Sequence, residues 1–262
     1  MPRRPAARIT GRSTAPSRPA APRHGLARVL SKLGVASRTQ AARWIEEGRV
    51  GVDGRVVRDP ERPTDAARER ITVDGAAIQA RERVYLMLNK PRGYVTTASD
   101  ERGRDTVYVL LEHAGLPWVA PVGRLDRASE GLLLFSNDSA WAAAISAPET
   151  HLDKTYHVQI DRLPDAGLLA ALQAGVEDRG ERLALKAVRE LRRGDRNAWI
   201  EVVLDEGRNR QIRRVLYAHD IGVLRLVRVA VGGLALGTLA KGAWRRLTAD
   251  EAAQLSRTGA SA

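Results

Sequence analysis

The chain has 262 residues, 44% of them hydrophobic and only 4% aromatic, so any core must be built mainly from Leu, Val, Ile and Ala. It has no cysteine, which excludes disulfides, zinc ribbons and thiol catalysis, and its 43 Lys and Arg against 31 Asp and Glu leave a net charge of +12. No long charge-free apolar run is present for a membrane span, and the scattered histidines lack a second ligand at helix-face spacing, so neither a membrane segment nor a metal site is expected.

Residues 1–23 are rich in Pro, Ala, Arg and Ser, with too few large apolar groups to offset the entropy of ordering. This stretch reads as a disordered basic tail. From Met1 to Ile45 there is no Asp or Glu, so most of the excess positive charge lies at the front of the chain. A one-sided field of this kind suits a polyanion. A plain solvated tail fits the composition equally well, and a mitochondrial transit peptide shares it; an RNA-contacting arm is the preferred reading.

The next module spans 24–80. In LARVLSKL, Leu26, Val29, Leu30 and Leu33 share one helical face, and Gly34 supplies the stop. Ser37 with Gln40 forms a capping-box pattern for a second helix, with Ala41, Trp44 and Ile45 inward and Gly48 at its end. Val50 to Val57 reads as a hairpin over an Asp53-Gly54 turn, and Ile71-Thr72-Val73-Asp74-Gly75 as a later strand and turn. Arg28, Lys32, Arg38 and Arg43 decorate the two helices with no acidic residue before Glu46. A solvated helix face is the ordinary alternative to an RNA-docking face.

After a polar linker at 80–83 the pattern changes, and a second unit is expected over 84–250, with 251–262 as a tail. Strands are predicted at Tyr85 to Leu88, Val119 to Val122, Leu132 to Phe135, Tyr156 to Ile160, Trp199 to Leu204, Leu224 to Val231 and Trp244 to Leu247. Helices are predicted at Ser139 to Ser146, Leu168 to Leu172 and Gln211 to His219. Strands separated by unequal helices indicate an α+β fold with a mostly antiparallel sheet.

Three polar segments stand out. In VGRLDRASEGLLL, Asp126 sits in a loop bracketed by Gly123 and Gly131, with Arg124 and Arg127 close by. From the residues alone, a turn Asp paired with an Arg is the commoner explanation. In KTYHV, Tyr156 alternates with Val158 and Ile160 on one strand face, the usual setting of a core tyrosine. In DEGRNRQIRR, Arg210, Arg213 and Arg214 fall at i, i+3 and i+4, a cluster suited to phosphates or a carboxylate, or simply a solvated basic helix end.

Taken together these segments resemble the Rsu-type ribosomal RNA pseudouridine synthase family. The matching text is NKPRG, GRLDRASEGLLLFSND, KTYHV, EGRNRQIRR and Leu224-Arg225-Leu226-Val227-Arg228, in that order. The front module resembles the ribosomal protein S-four type (alpha-L) RNA-binding domain. The resemblance implies that Asp126 is the catalytic carboxylate, that Tyr156 stacks on or assists the target nucleoside, and that Arg213 pairs with Asp126 and helps place the substrate phosphate. It implies that Arg124 fills the space of a flipped base or contacts the backbone, and that Leu226 packs against uracil. Arg210 and Arg214, with Arg28, Lys32, Arg38 and Arg43, are then candidate RNA contacts. The implied activity is isomerisation of one uridine in ribosomal RNA, large-subunit RNA being favoured, by a cytoplasmic monomer acting on rRNA or a pre-ribosomal particle without cofactor or metal. A non-catalytic RNA-binding or ribosome-assembly protein is the alternative, and it would have no need of Asp126.

Overall fold

The structure, a computed structural model, describes residues 24–79 and 81–258. The expected tail at 1–23 lies outside them. Two short helices, α1 (Leu26–Lys32) and α2 (Arg38–Glu46), open the described chain. Their ends follow the sequence signals. Gly34 takes φ +70° and Gly48 φ +79° just past the two helices, and Ser37 Oγ accepts the Gln40 N–H at 3.0 Å. Leu26, Leu30, Ala41 and Ile45 pack with Val50, Val52 and Ile71 in a small core beneath a four-stranded sheet of short strands. Both of its Asp-Gly turns, at 53–54 and 74–75, have φ positive at both residues, which matches the right-handed twist of the flanking strands.

The rest is built on a nine-stranded sheet. Its strands are β1 (Tyr85–Lys90), β2 (Ala120–Val122), β3 (Glu130–Ser136), β4 (Lys154–Ile160), β5 (Ala187–Arg193), β6 (Ala198–Leu204), β7 (Val223–Val231), β8 (Leu234–Ala235) and β9 (Trp244–Arg246). They run in the order β5-β6-β4-β7-β3-β1-β9, with β2 pairing with β3 and β8 with β7. The fold is α+β and the sheet mostly antiparallel. The exception is the central β7–β3 junction, which is parallel and aligns Val227 with Glu130 and Arg228 with Gly131. Strand β3 is buried along its whole length, as its EGLLLFS run requires of a central strand, whereas β6 alternates buried and half-buried residues.

Helices α3 (Ser139–Ser146), α4 (Ala166–Ala174) and α5 (Gln211–Tyr217) pack on this frame. Asp138 and Asp165 cap α3 and α4 through their side chains, which accept N–H groups of the first turn. One expectation is corrected: 251–262 is not simply a tail. Helix α6 covers Ala249–Thr258 and buries Ala252 and Leu255 against Trp141, whose indole N–H donates to the Ala252 carbonyl at 2.9 Å.

Candidate active site

Residues from well-separated stretches of sequence meet over the middle of the sheet, around a cavity of about 1050 Å³. One wall is the loop 123–129 between β2 and β3. The floor is Tyr156 on β4 with Leu226 and Arg228 on β7. The opposite wall is the turn before α5, with Arg210 and Arg213. Register explains the floor: Tyr156 lies opposite Arg228, and Val158 opposite Leu226. A bulge at Val229 then lets Arg228 and Val231, three residues apart, both line the cavity. Tyr156 is therefore partly core, as period alone predicts, and partly cavity wall.

The parallel junction lets the Asp126 loop approach the floor. Gly131 has φ +100°, and a Cβ there would lie 2.2 Å from the Arg228 carbonyl oxygen, so only glycine fits. Next to it Glu130, 3% exposed, receives two 3.0 Å hydrogen bonds from Arg225 and one of 2.5 Å from Lys241. Burial alone would raise the Glu130 pKa; these bonds outweigh it and hold the carboxyl below its ordinary value.

Asp126 sits on a backbone that is pinned residue by residue. The Leu125 carbonyl accepts from Thr96 Oγ1 at 2.8 Å. The Asp126 carbonyl accepts from Lys90 Nζ at 3.2 Å and from the Ser129 N–H at 2.9 Å. The Arg127 carbonyl accepts from the Gly93 N–H at 2.8 Å, Ala128 from Arg213 at 3.3 Å, and Ser129 from Lys90 at 2.8 Å. With every carbonyl from 125 to 129 engaged, the loop presents the exposed Asp126 carboxylate in a fixed place.

Lys90 is central to this. It is fully buried at the end of β1, where its ammonium also reaches the Pro91 carbonyl at 3.0 Å. Burial pushes its pKa down to about 8, against the pull of Glu130 and Asp126. Neither Lys90 nor Thr96 stands out as a site residue in the sequence. The signals are a lysine closing an apolar strand, in YLMLNK, and its place in the NKPRG match; burial of that lysine is a tertiary fact.

The arginine cluster requires two corrections. The carboxylate partner of Asp126 is Arg210, at 3.3 Å, rather than Arg213. Arg213 lines the same cavity but donates to Ala128, and its Nε is buried without a partner among the described residues. Burial, with Arg210 and Arg92 near it, pulls the Arg213 pKa down, while Asp126 pulls it up. Arg214 leaves the cavity altogether: its guanidinium is held by Asp178 and by Glu181, the latter at 2.7 Å, which makes it a structural anchor for the hairpin at 176–183. The i, i+3, i+4 pattern fails because Arg210 is not helical. It caps α5 in the left-handed region at φ +51°, so its side chain departs from the face that helical spacing assigns it. Buried Gln211 fixes this turn by donating to the Ala184 carbonyl at 2.8 Å and to Glu206 at 2.5 Å.

Arg124 is exposed on the cavity rim. Arg28, Lys32, Arg38 and Arg43 lie on the surface of α1 and α2, away from the cavity lining.

Residues 84–218 match the family model described as RNA pseudouridylate synthase, and residues 25–65 match the S4 domain. The chain is 39% identical over 235 residues to an uncharacterized RNA pseudouridine synthase of Mycobacterium tuberculosis, covering 88% of this chain and 92% of that one. It is 35% identical over 233 residues to the ribosomal large subunit pseudouridine synthase B of Bacillus subtilis, covering 88% and 94%. A solved structure described as a pseudouridylate synthase matches with a TM-score of 0.62 at 27% identity, over 90% of this chain and 100% of that one.

Proposed function

The chain belongs to the RNA pseudouridylate synthase family, with an S4 domain in front, and on that premise we propose that it converts one specific uridine of large-subunit ribosomal RNA to pseudouridine, with Asp126 as the catalytic carboxylate. The observation that carries this reading is the pinned Asp126 loop facing Tyr156 and Leu226 across a cavity large enough for a nucleotide and its flanking chain. A protein that only binds RNA has no use for a carboxylate held this way.

The reaction is balanced within the substrate. The bond from ribose C1′ to ring N1 breaks, the uracil turns, C1′ bonds to C5, the C5 proton leaves and N1 takes one up. No electron is gained or lost, so the work is positioning, charge stabilisation and proton transfer. The target must leave its stack, which costs a few kcal/mol, and the freed base must be held while it turns. Leu226 and Tyr156 give the base a surface to pack on. Asp126 faces the ribose and acts by adding to the sugar or the ring, or by stabilising charge as a ribose proton is removed. Arg210 holds the carboxylate, while Arg213 braces the loop behind it and supplies positive charge beside the substrate backbone. Arg124, on the rim, contacts the RNA backbone or takes the space that the base vacates. The exposed cations of α1 and α2 supply affinity for structured RNA. The relative of Bacillus subtilis named for the large ribosomal subunit supports the choice of RNA.

The test is a pseudouridine map of ribosomal RNA from cells lacking the gene, complemented by wild type or by Asp126→Asn. One large-subunit position should lose its pseudouridine and regain it only with wild type. The isolated variant should react slower by roughly a thousandfold or more. An unchanged map, or rescue by Asp126→Asn, overturns the assignment.

A further inference from the structure

Two cations on the cavity floor have no task in the reaction as proposed. Arg228 is 6% exposed, and its Nε donates to the Leu132 carbonyl at 2.7 Å. Its two terminal nitrogens have no hydrogen-bond partner among the described residues, and the side chain lines the cavity. Lys154, half-buried, lines the same end and likewise has no hydrogen bond or ion pair among the described residues. Of the nearby carboxylates, Asp153 is held by Lys186 at 2.6 Å, and Asp205 lies 3.8 Å from His151 and makes no ion pair with Lys154. Burial first, then the charge of Arg228, pulls the Lys154 pKa below its ordinary value despite Asp205 and Asp153.

Two mutually repelling cations, desolvated and without a contacting carboxylate, are costly to keep in a fold unless an anion joins them. Their placement indicates which anion. Lys154 lies two residues before Tyr156 on one strand face, roughly 7 Å along it, the scale of one nucleoside. Arg228 is directly across from Tyr156 in the register. In the bound nucleoside uracil is neutral and its carbonyls need only neutral donors; two full charges suit a group that is anionic throughout, and the free fork of Arg228 suits a tetrahedral one.

We propose that Lys154 and Arg228 form a subsite for the RNA phosphate that flanks the target uridine, which anchors the backbone alike before and during the reaction. The inference rests on the function proposed above, since the ligand is the substrate's own backbone.

The experiment measures single-turnover pseudouridine formation on unmodified large-subunit and small-subunit rRNA transcripts, with enzyme concentration and salt both varied. Lys154→Gln should raise the half-saturating enzyme concentration about tenfold and reduce the slope of log affinity against log salt by about one. The rate at saturation should fall by less than about twofold, because a phosphate held alike before and during the reaction contributes binding rather than rate. Lys154→Arg should restore both affinity and slope, and a thermal melt of each variant establishes that it is folded. An unchanged half-saturation and slope in Lys154→Gln would overturn the subsite. So would a loss confined to the saturated rate, because the cations would then act on the reacting base. If the wild type isomerises neither transcript, the failure lies with the proposed function instead.

Discussion

In the loop 123–129 five successive carbonyls, from Leu125 to Ser129, accept hydrogen bonds from partners as distant in sequence as Lys90 and Arg213. On α1 and α2, by contrast, Arg28 and Arg43 are exposed and have no ion-pair partner among the described residues, and Arg38 reaches only an exposed Glu61 at 3.5 Å. One region uses polar groups to fix a geometry; the other leaves them loose to create a field. The two therefore fail differently. Damage to the loop should lower the rate of chemistry with RNA still bound, and damage to the helices should lower affinity with chemistry intact.

The largest effect should come from Lys90→Met. It strands the carbonyls of half-buried Pro91 and buried Ser129 and half-strands that of Asp126, so denaturant unfolding should show a loss of about 3 kcal/mol, and the saturated rate should collapse. If affinity for RNA fell equally, the contrast between the regions would be wrong. Lys90 also gives a pH signature. Its folded pKa of about 8 lies below the ordinary 10.5, so folding releases its proton between those values. The unfolded chain binds more protons there, and this group's contribution to stability becomes more favourable as pH rises through that window. A neutral amine has too few donors for three carbonyls, so the saturated rate should fall above about pH 8 while stability does not. A Lys90→Arg variant that keeps the same alkaline limb would remove Lys90 as its cause.

Thr96→Val comes next. It deletes the 2.8 Å bond to the Leu125 carbonyl and the 3.4 Å bond received from the Leu125 N–H, at a cost of about 1 kcal/mol in stability. The rate should drop about tenfold through a misplaced carboxylate. Stopped single turnovers that match wild type would show that the loop holds its shape without this residue. The smallest effect should be that of Arg28→Ala with Arg43→Ala. Here the salt slope of RNA binding should fall by about two and the rate at saturation should barely move. An unaltered slope would mean that the helices do not contact RNA phosphates.

Most of the sheet was legible because its strands carry their own pattern, as in the continuous apolar run of β3 and the alternation of β6. Strand β5 was not, because Arg189, Glu190, Arg192 and Arg193 give an edge strand no apolar face to read. Helix α6 was taken for a tail because it has little apolar pattern: between residues 249 and 257 only Ala252 and Leu255 are buried. At the site, Asp126, Tyr156 and Leu226 do come together as the motifs imply. The local rule failed at Arg210, whose left-handed backbone breaks the helical spacing, and Lys90 and Thr96 escaped because their contacts lie 36 and 29 residues away along the chain.

The parallel seam between Glu130-Gly131 and Val227-Arg228 also orders events in time. On a ribosome making this chain, the carboxylate segment emerges about a hundred residues before the strand that it must lie beside. Until Arg228 has cleared the exit tunnel the two halves have no common edge, and loop closure over so long an interval is slow. A nascent chain that stops short of β7 therefore has no floor to its cavity.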